Sequence, residues 1–186
     1  MRVHKIRDNF VTLRLTALLA VLALIGLIAL YVLEFRWFDR TIGMRSLALY
    51  AVAIGALAGA GLGRHFSRQG RNTVEKIQLY LFFIVLCTLF APFFASLSNR
   101  LLSPYPSRPE SVEFFEQQAY LPSPYGIVKG QKAEPAEYYT FFYYKGRLRR
   151  IKSKHPILSG LERGQTAELS MKRGLWGYTV VVKQGQ

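Results

Sequence analysis

The sequence predicts an α-helical membrane protein, with three transmembrane helices followed by a small, mostly-β C-terminal module. Three uncharged runs of nineteen, eighteen and twenty-three residues fall within the first hundred of the 186 residues. Each is long enough to cross a hydrocarbon core of about 30 Å as a helix. Beyond residue 124, short stretches rich in Tyr, Phe, Val and Thr alternate with glycine-containing turns, which is the pattern of short strands. The charge balance, 25 Lys and Arg against 11 Asp and Glu for a net +14, calls for anionic neighbours such as phospholipid headgroups, nucleic acid or acidic polymers.

The first run, LTALLAVLALIGLIALYVL, lies between Arg14 and Glu34; the second, SLALYAVAIGALAGAGLG, between Arg45 and Arg64; the third, IQLYLFFIVLCTLFAPFFASLSN, between Lys76 and Arg100. They place spans at about 11–33, 46–63 and 77–98 in a transmembrane domain of residues 1–99. Arg2, Lys5 and Arg7 give the first span the basic flank of a secretory signal. Its length, and the lack of a small-x-small pair where residues 29–33 read ALYVL, predict an uncleaved signal anchor instead.

Positive flanks are retained on the cytoplasmic side. Eight Lys and Arg flank the side shared by the N-terminus and the second loop, the latter supplying Arg64, Arg68, Arg71 and Lys76 as a basic interface; five (Arg36, Arg40, Arg45, Arg100, Arg108) flank the other side. The expected location is therefore the plasma (inner) membrane, multi-pass, with the N-terminus cytoplasmic and the C-terminal module extracytoplasmic. The bias is modest and leaves the inverted arrangement open. Tyr31, Phe35, Trp37, Phe38 and Tyr50 cluster about the first loop, where amphipathic rings suit the headgroup level.

Within the second span Gly55, Gly59 and Gly63 recur at intervals of four, one turn on from Ala51, so one helix face lacks side chains and admits a close helix neighbour. Whether that neighbour belongs to this chain, a second copy or another protein is not readable from sequence. Pro92 lacks an amide hydrogen, so a kink or a helix end is expected near Ala91. Cys87 and Thr88 are expected to be inert, satisfied by the helix backbone or a neighbour. Between their flanking charged residues the three runs contain no Asp, Glu, Lys, Arg or His, and intramembrane ionisable groups are what ion paths and proton relays require.

Residues 100–124 read as a Pro-rich linker with a short helix. Ser107 and Glu110 have capping-box spacing and Val112, Phe115 and Ala119 share a helical face, predicting a helix near 109–119. On it Glu110, Glu113 and Glu116 form a solvated face. Residues 125–186 predict a β module of four or five strands, of SH3-like or OB-like barrel size. EYYTFFYY turns at Lys145-Gly146 and returns as RLRRIKS. A two-residue turn pairs Tyr144 with Arg147, Tyr143 with Leu148, Phe142 with Arg149 and Phe141 with Arg150, bringing guanidinium groups onto rings. A second hairpin joins TAELSM to LWGYTVVV through Lys172, Arg173 and Gly174.

Residues 118–186 carry twelve Lys and Arg against four Glu, and Arg147, Arg149, Arg150 and Lys152 are read as a docking surface. Its aromatic interleaving also suits nucleic acid, a partner disfavoured by the extracytoplasmic placement and by the lack of any RNP-like, zinc-finger or helix-turn-helix pattern. No cofactor or metal is expected, since no histidine or cysteine cluster has ligand spacing. The expectation is a non-catalytic integral membrane protein, an accessory, assembly or scaffolding subunit of a larger membrane complex. Its expected partners are other integral membrane proteins, anionic phospholipids and, as an alternative, a second copy of the chain. The competing reading is a membrane-tethered binding module for nucleic acid or another anionic polymer.

Overall fold

In a computed structural model the backbone is described for residues 2–121 and 137–182, and side chains within those ranges from Leu15 onward. The chain divides into two compact units, Met1–Phe35 and Arg36–Gln186. The first unit is nearly all of helix α1 (Arg2–Phe38), on which Leu18, Leu22 and Ile25 are more than half exposed while Glu34 is buried. All three helices, α1, α2 (Met44–Ser67) and α3 (Thr73–Leu101), are long and apolar enough to cross a membrane.

In the second unit α2 and α3 form a helical hairpin. Helix α3 starts at a cap that the hydropathy pattern does not reveal: the Asn72 side chain accepts from the Glu75 amide at 2.8 Å, while the Glu75 carboxylate accepts from the Arg71 amide at 2.8 Å. This satisfies orphan donors at the turn. Helix α3 does not end at Pro92 but continues to Leu101, because a proline frees only the carbonyl one turn back and the rest of the ladder persists. Thr88 Oγ1 is buried without a hydrogen-bond partner among the described residues, contrary to the expectation that it is satisfied.

Strands β1 (Arg108–Tyr120), β2 (Glu137–Tyr144), β3 (Arg147–Ser153), β4 (Thr166–Arg173) and β5 (Thr179–Val181) form one curled antiparallel half-barrel sheet in the order β3-β2-β1-β4-β5. The helix expected near 109–119 is instead its central strand. Ser107 does not cap Glu110; its hydroxyl lies 2.7 Å from that of Ser170. Val112 and Phe114, two apart, are buried at 2% and 7%, so the operative period is two, not 3.6. The two flanking strands come from later in the chain, and pairing of that range overrides a local helical pattern. The N-terminal half of β1 pairs with β4 and the C-terminal half with β2, and the register shifts between Phe114 and Glu116. A bulge of this kind bends the strand, here where it passes from one neighbour to the other.

The β2–β3 hairpin has the expected register, from Tyr144↔Arg147 to Phe141↔Arg150. Lys145 (φ 50°) and Gly146 (φ 70°) both adopt the left-handed conformation that a two-residue turn of matching twist demands. The second hairpin turns later than expected, since β4 runs through Lys172 and Arg173, with Arg173 opposite Thr179. The core of the sheet comprises Val112, Phe114, Phe142, Tyr144, Ile151, Leu158, Leu169, Met171 and Val181, with Ile42 packed against it.

Candidate functional site

Ala51, Gly55, Gly59 and Gly63 are buried along one face of α2, and the helix against that face is α3 of the same chain. A Cβ on Gly55 would lie 2.6 Å from the Ala91 Cβ, one on Gly59 2.7 Å from the Ile84 Cα, and one on Gly63 2.8 Å from the Tyr80 carbonyl oxygen. Gly61, off the strip, would meet nothing within 4 Å. The missing side chains therefore allow backbone-to-backbone approach inside the hairpin, where dispersion acts over a long seam. Phe66 and Phe83 stack at 4.8 Å near the turn.

The basic residues Arg64, Arg68, Arg71 and Lys76 lie exposed about that turn, and no described cavity includes them. The other basic set divides. On β3, Arg147 and Arg149 share the parity of the buried Ile151, whereas Arg150 and Lys152 point to the opposite face. Arg150 lies 5.0 Å from the Tyr139 ring and Lys152 6.0 Å from the same ring. Guanidinium stacking thus occurs on the diagonal neighbour and not on Phe141, the residue directly opposite. Arg149 Nε is buried without a partner among the described residues.

A junction at the C-terminal end of α3 has no counterpart in the sequence reading. Asn99 is fully buried. Its side chain donates to the Tyr178 carbonyl at 3.0 Å and accepts from the Trp176 amide at 3.0 Å, while its own carbonyl accepts from the Leu175 amide at 2.9 Å. The Trp176 indole donates to Ser98 Oγ at 2.9 Å. Gly174 is required here, since a Cβ would fall on the Asn99 amide group. The loop before α2 is held as firmly: the Ile42 amide donates to the Thr179 carbonyl at 2.8 Å and the Val181 amide to the Arg40 carbonyl at 2.9 Å. The Lys152 amide reaches the Asp39 carbonyl at 3.3 Å. Residues 39–42 therefore bond to β5 on one side and β3 on the other, linking the two edges of the half-barrel. Asn99 carries only one local hint, an amide side chain closing an apolar run, and no signal in the sequence couples it to residues 174–178.

Three cavities open around this junction. An apolar groove of about 790 Å³ is lined by Tyr50, Ile54, Phe94, Leu101, Trp176 and Tyr178 among others. A second, of about 620 Å³, places Arg108, Lys145 and Arg173 beside Tyr105 and Tyr144. A third, of about 480 Å³, lies where residues 36–40 meet β3 and carries Asp39, Glu137 and Lys152. There the Lys152 ammonium is 2.6 Å from Glu137 Oε2 and 4.0 Å from Asp39 Oδ2. The hydrogen bond to Glu137 raises the Lys152 pKa, while burial raises that of Asp39 against the opposing pull of Lys152. Among the described residues no group of three or more His, Cys, Asp or Glu is placed to hold a metal ion. No protein-family model matches the chain, and no curated protein or solved structure matches it.

Proposed function

We propose that this membrane protein is a non-catalytic accessory, assembly or scaffolding subunit of a larger integral membrane complex. In this reading it sits in the plasma (inner) membrane with its N-terminus cytoplasmic, held by an uncleaved signal anchor, and its β module extracytoplasmic. The observation that carries the proposal is the apolar groove, whose walls come from both hairpin helices and from the Trp176–Tyr178 loop. The glycine strip is already consumed inside the hairpin, whereas the groove offers a concave apolar surface that a helix of another membrane protein can fill. Tyr50, Ile54, Phe94 and Trp176 line it with 67%, 66%, 53% and 58% of their surface exposed. Aromatic and large aliphatic side chains that remain uncovered are the usual anchors of protein contacts. The Asn99 junction fixes the loop to the helix end, so a helix in the groove would meet spanning and extramembrane parts held in one geometry.

Purification of the tagged chain from its own membranes in mild detergent, with mass spectrometry of what co-elutes, tests this. The expected result is a constant stoichiometry with larger membrane proteins, lost in I54A/F94A while insertion and thermal stability persist. Recovery alone, or only as a homo-oligomer, overturns it. The competing reading, an anionic-polymer module, draws support from the interleaved basic and aromatic residues. It is weakened by the fact that Arg150, Arg163 and Arg173 already lie 5.0, 4.0 and 5.4 Å from the rings of Tyr139, Phe115 and Tyr105. A base would need those ring faces to stack.

A further inference from the structure

Six charged groups, only some of them paired, collect near the end of α1 and the edge of the sheet. Arg36, Asp39 and Arg40 come from the last turn of α1 and the loop behind it, Glu137 opens β2, and Lys152 and Lys154 come from the end of β3; all six line the cavity of about 480 Å³. Lys152 is held by Glu137 and Asp39. Arg36, Arg40 and Lys154 make no ion pair among the described residues, and the Arg40 guanidinium lies 5.6 Å from the Trp37 ring, a contact that leaves its N–H groups free to donate. The six groups leave an excess of two positive charges in a recess whose remaining wall includes Pro156, Ile157 and Val182.

The backbone under these cations is fixed before any ligand arrives. The Arg40 carbonyl accepts from the Val181 amide at 2.9 Å, and Thr41 Oγ1 donates to the Trp37 carbonyl at 2.7 Å. Such preorganisation lowers the ordering cost of binding. The depth is equally defined: one candidate span ends at Phe38, the next begins at Met44 and the third ends at Leu101. Residues 36–40 therefore stand at the boundary of hydrocarbon and water, the level of lipid phosphates.

We propose that this cavity binds the phosphate of an anionic phospholipid headgroup, with Arg36, Arg40 and Lys154 as its donors. Guanidinium forks match phosphate oxygens in pairs, and an ammonium adds a mobile point charge. The apolar wall accommodates the glycerol portion. The Asp39 carboxylate, 47% exposed in the same recess, repels an anion of higher charge, so the site favours a singly charged phosphodiester. The proposal rests on the spanning helices and is independent of the accessory-subunit reading.

The test is lipid retention by the full chain in mild detergent, read by native mass spectrometry. The probes are phosphatidylglycerol, phosphatidylcholine and soluble glycerol phosphate. Phosphatidylglycerol should be retained at one molecule per chain and released by salt, with phosphatidylcholine held about tenfold less well. In R36Q/K154Q the phosphatidylglycerol retention should fall about tenfold or more, with thermal unfolding unchanged; R40Q provides the same reading should the double variant unfold. R68Q/R71Q, at the other end of the hairpin, should retain it as the parent does. Equal retention of the two lipids, or full retention by R36Q/K154Q and R40Q, overturns the proposal. Displacement by glycerol phosphate at equal concentration overturns the lipid as source in favour of a free phosphate ester.

Discussion

Helix α2 buries Leu47, Ala51, Gly55, Gly59 and Gly63, whereas the sheet closes over Val112, Phe114, Phe142, Ile151, Leu169 and Met171. One region packs by removing side chains and the other by filling space with them. The difference follows from the solvent. Between helices in lipid there is little hydrophobic drive, so attraction comes from close approach of backbones. A sheet standing in water gains from each apolar surface it withdraws. A substitution that helps one region should therefore harm the other, and removing a side chain in the sheet or adding one in the hairpin exposes the contrast.

The largest effect is expected from Phe142→Ala. Phe142 is fully buried, and deletion of a buried aromatic costs about 3–5 kcal/mol, which should unfold the sheet at far lower denaturant while helical content persists. The reverse change in the hairpin comes next. Gly59→Ala puts a Cβ within 2.7 Å of Ile84 Cα and of the Phe83 carbonyl, backbone atoms that cannot rotate away. Overpacking of this kind costs about 1–3 kcal/mol. Gly61→Ala, where the Cβ meets nothing within 4 Å, should be neutral or slightly stabilising, by about 0.5 kcal/mol from helix propensity. Equal behaviour of the two variants in detergent melts would break the comparison.

Between the regions stands Asn99. Replacing it by Ala leaves the Trp176 amide without its partner and takes one of two donors from the Tyr178 carbonyl, which keeps the Gly174 amide at 2.9 Å, at about 1–2 kcal/mol. The expected signature is local: protease sensitivity of residues 174–178 rising before either region melts.

How much of this was legible depends on how far apart the deciding residues lie. The three spans were readable because an uncharged run is a property of one segment, and the β2–β3 register because Lys145-Gly146 fixes it within two residues. The glycine strip was visible as a face, but not its partner, since any helix satisfies a missing side chain. The central strand was misread as a helix because Ser107, Glu110, Val112 and Phe115 fit a local helical pattern while its true neighbours, β2 and β4, lie far along the chain. A fragment starting at residue 125 would lack that strand and the residues 39–42 that link the sheet's edges. In the basic quartet, spacing placed Arg147, Arg149, Arg150 and Lys152 together, yet strand alternation sends them to two faces.

The smallest effect also separates the regions, because it turns on an ionisable pair at the edge of the sheet. Lys152 bonds Glu137 at 2.6 Å, and that bond raises its pKa above 10.5 in the folded chain. A raised folded pKa stabilises the fold fully below the unfolded value and loses that contribution as pH climbs through the folded one. Both side chains keep about a quarter to a third of their surface in water, 26% and 33%, so the pair is worth about 0.2–1 kcal/mol at most. The melting difference between wild type and K152M should therefore be constant from neutral pH to about 10.5 and shrink above it. The G59A penalty, set by atoms that carry no charge, should stay level across the same range. A K152M difference that does not narrow at alkaline pH would show that the charge pair with Glu137 is not its source.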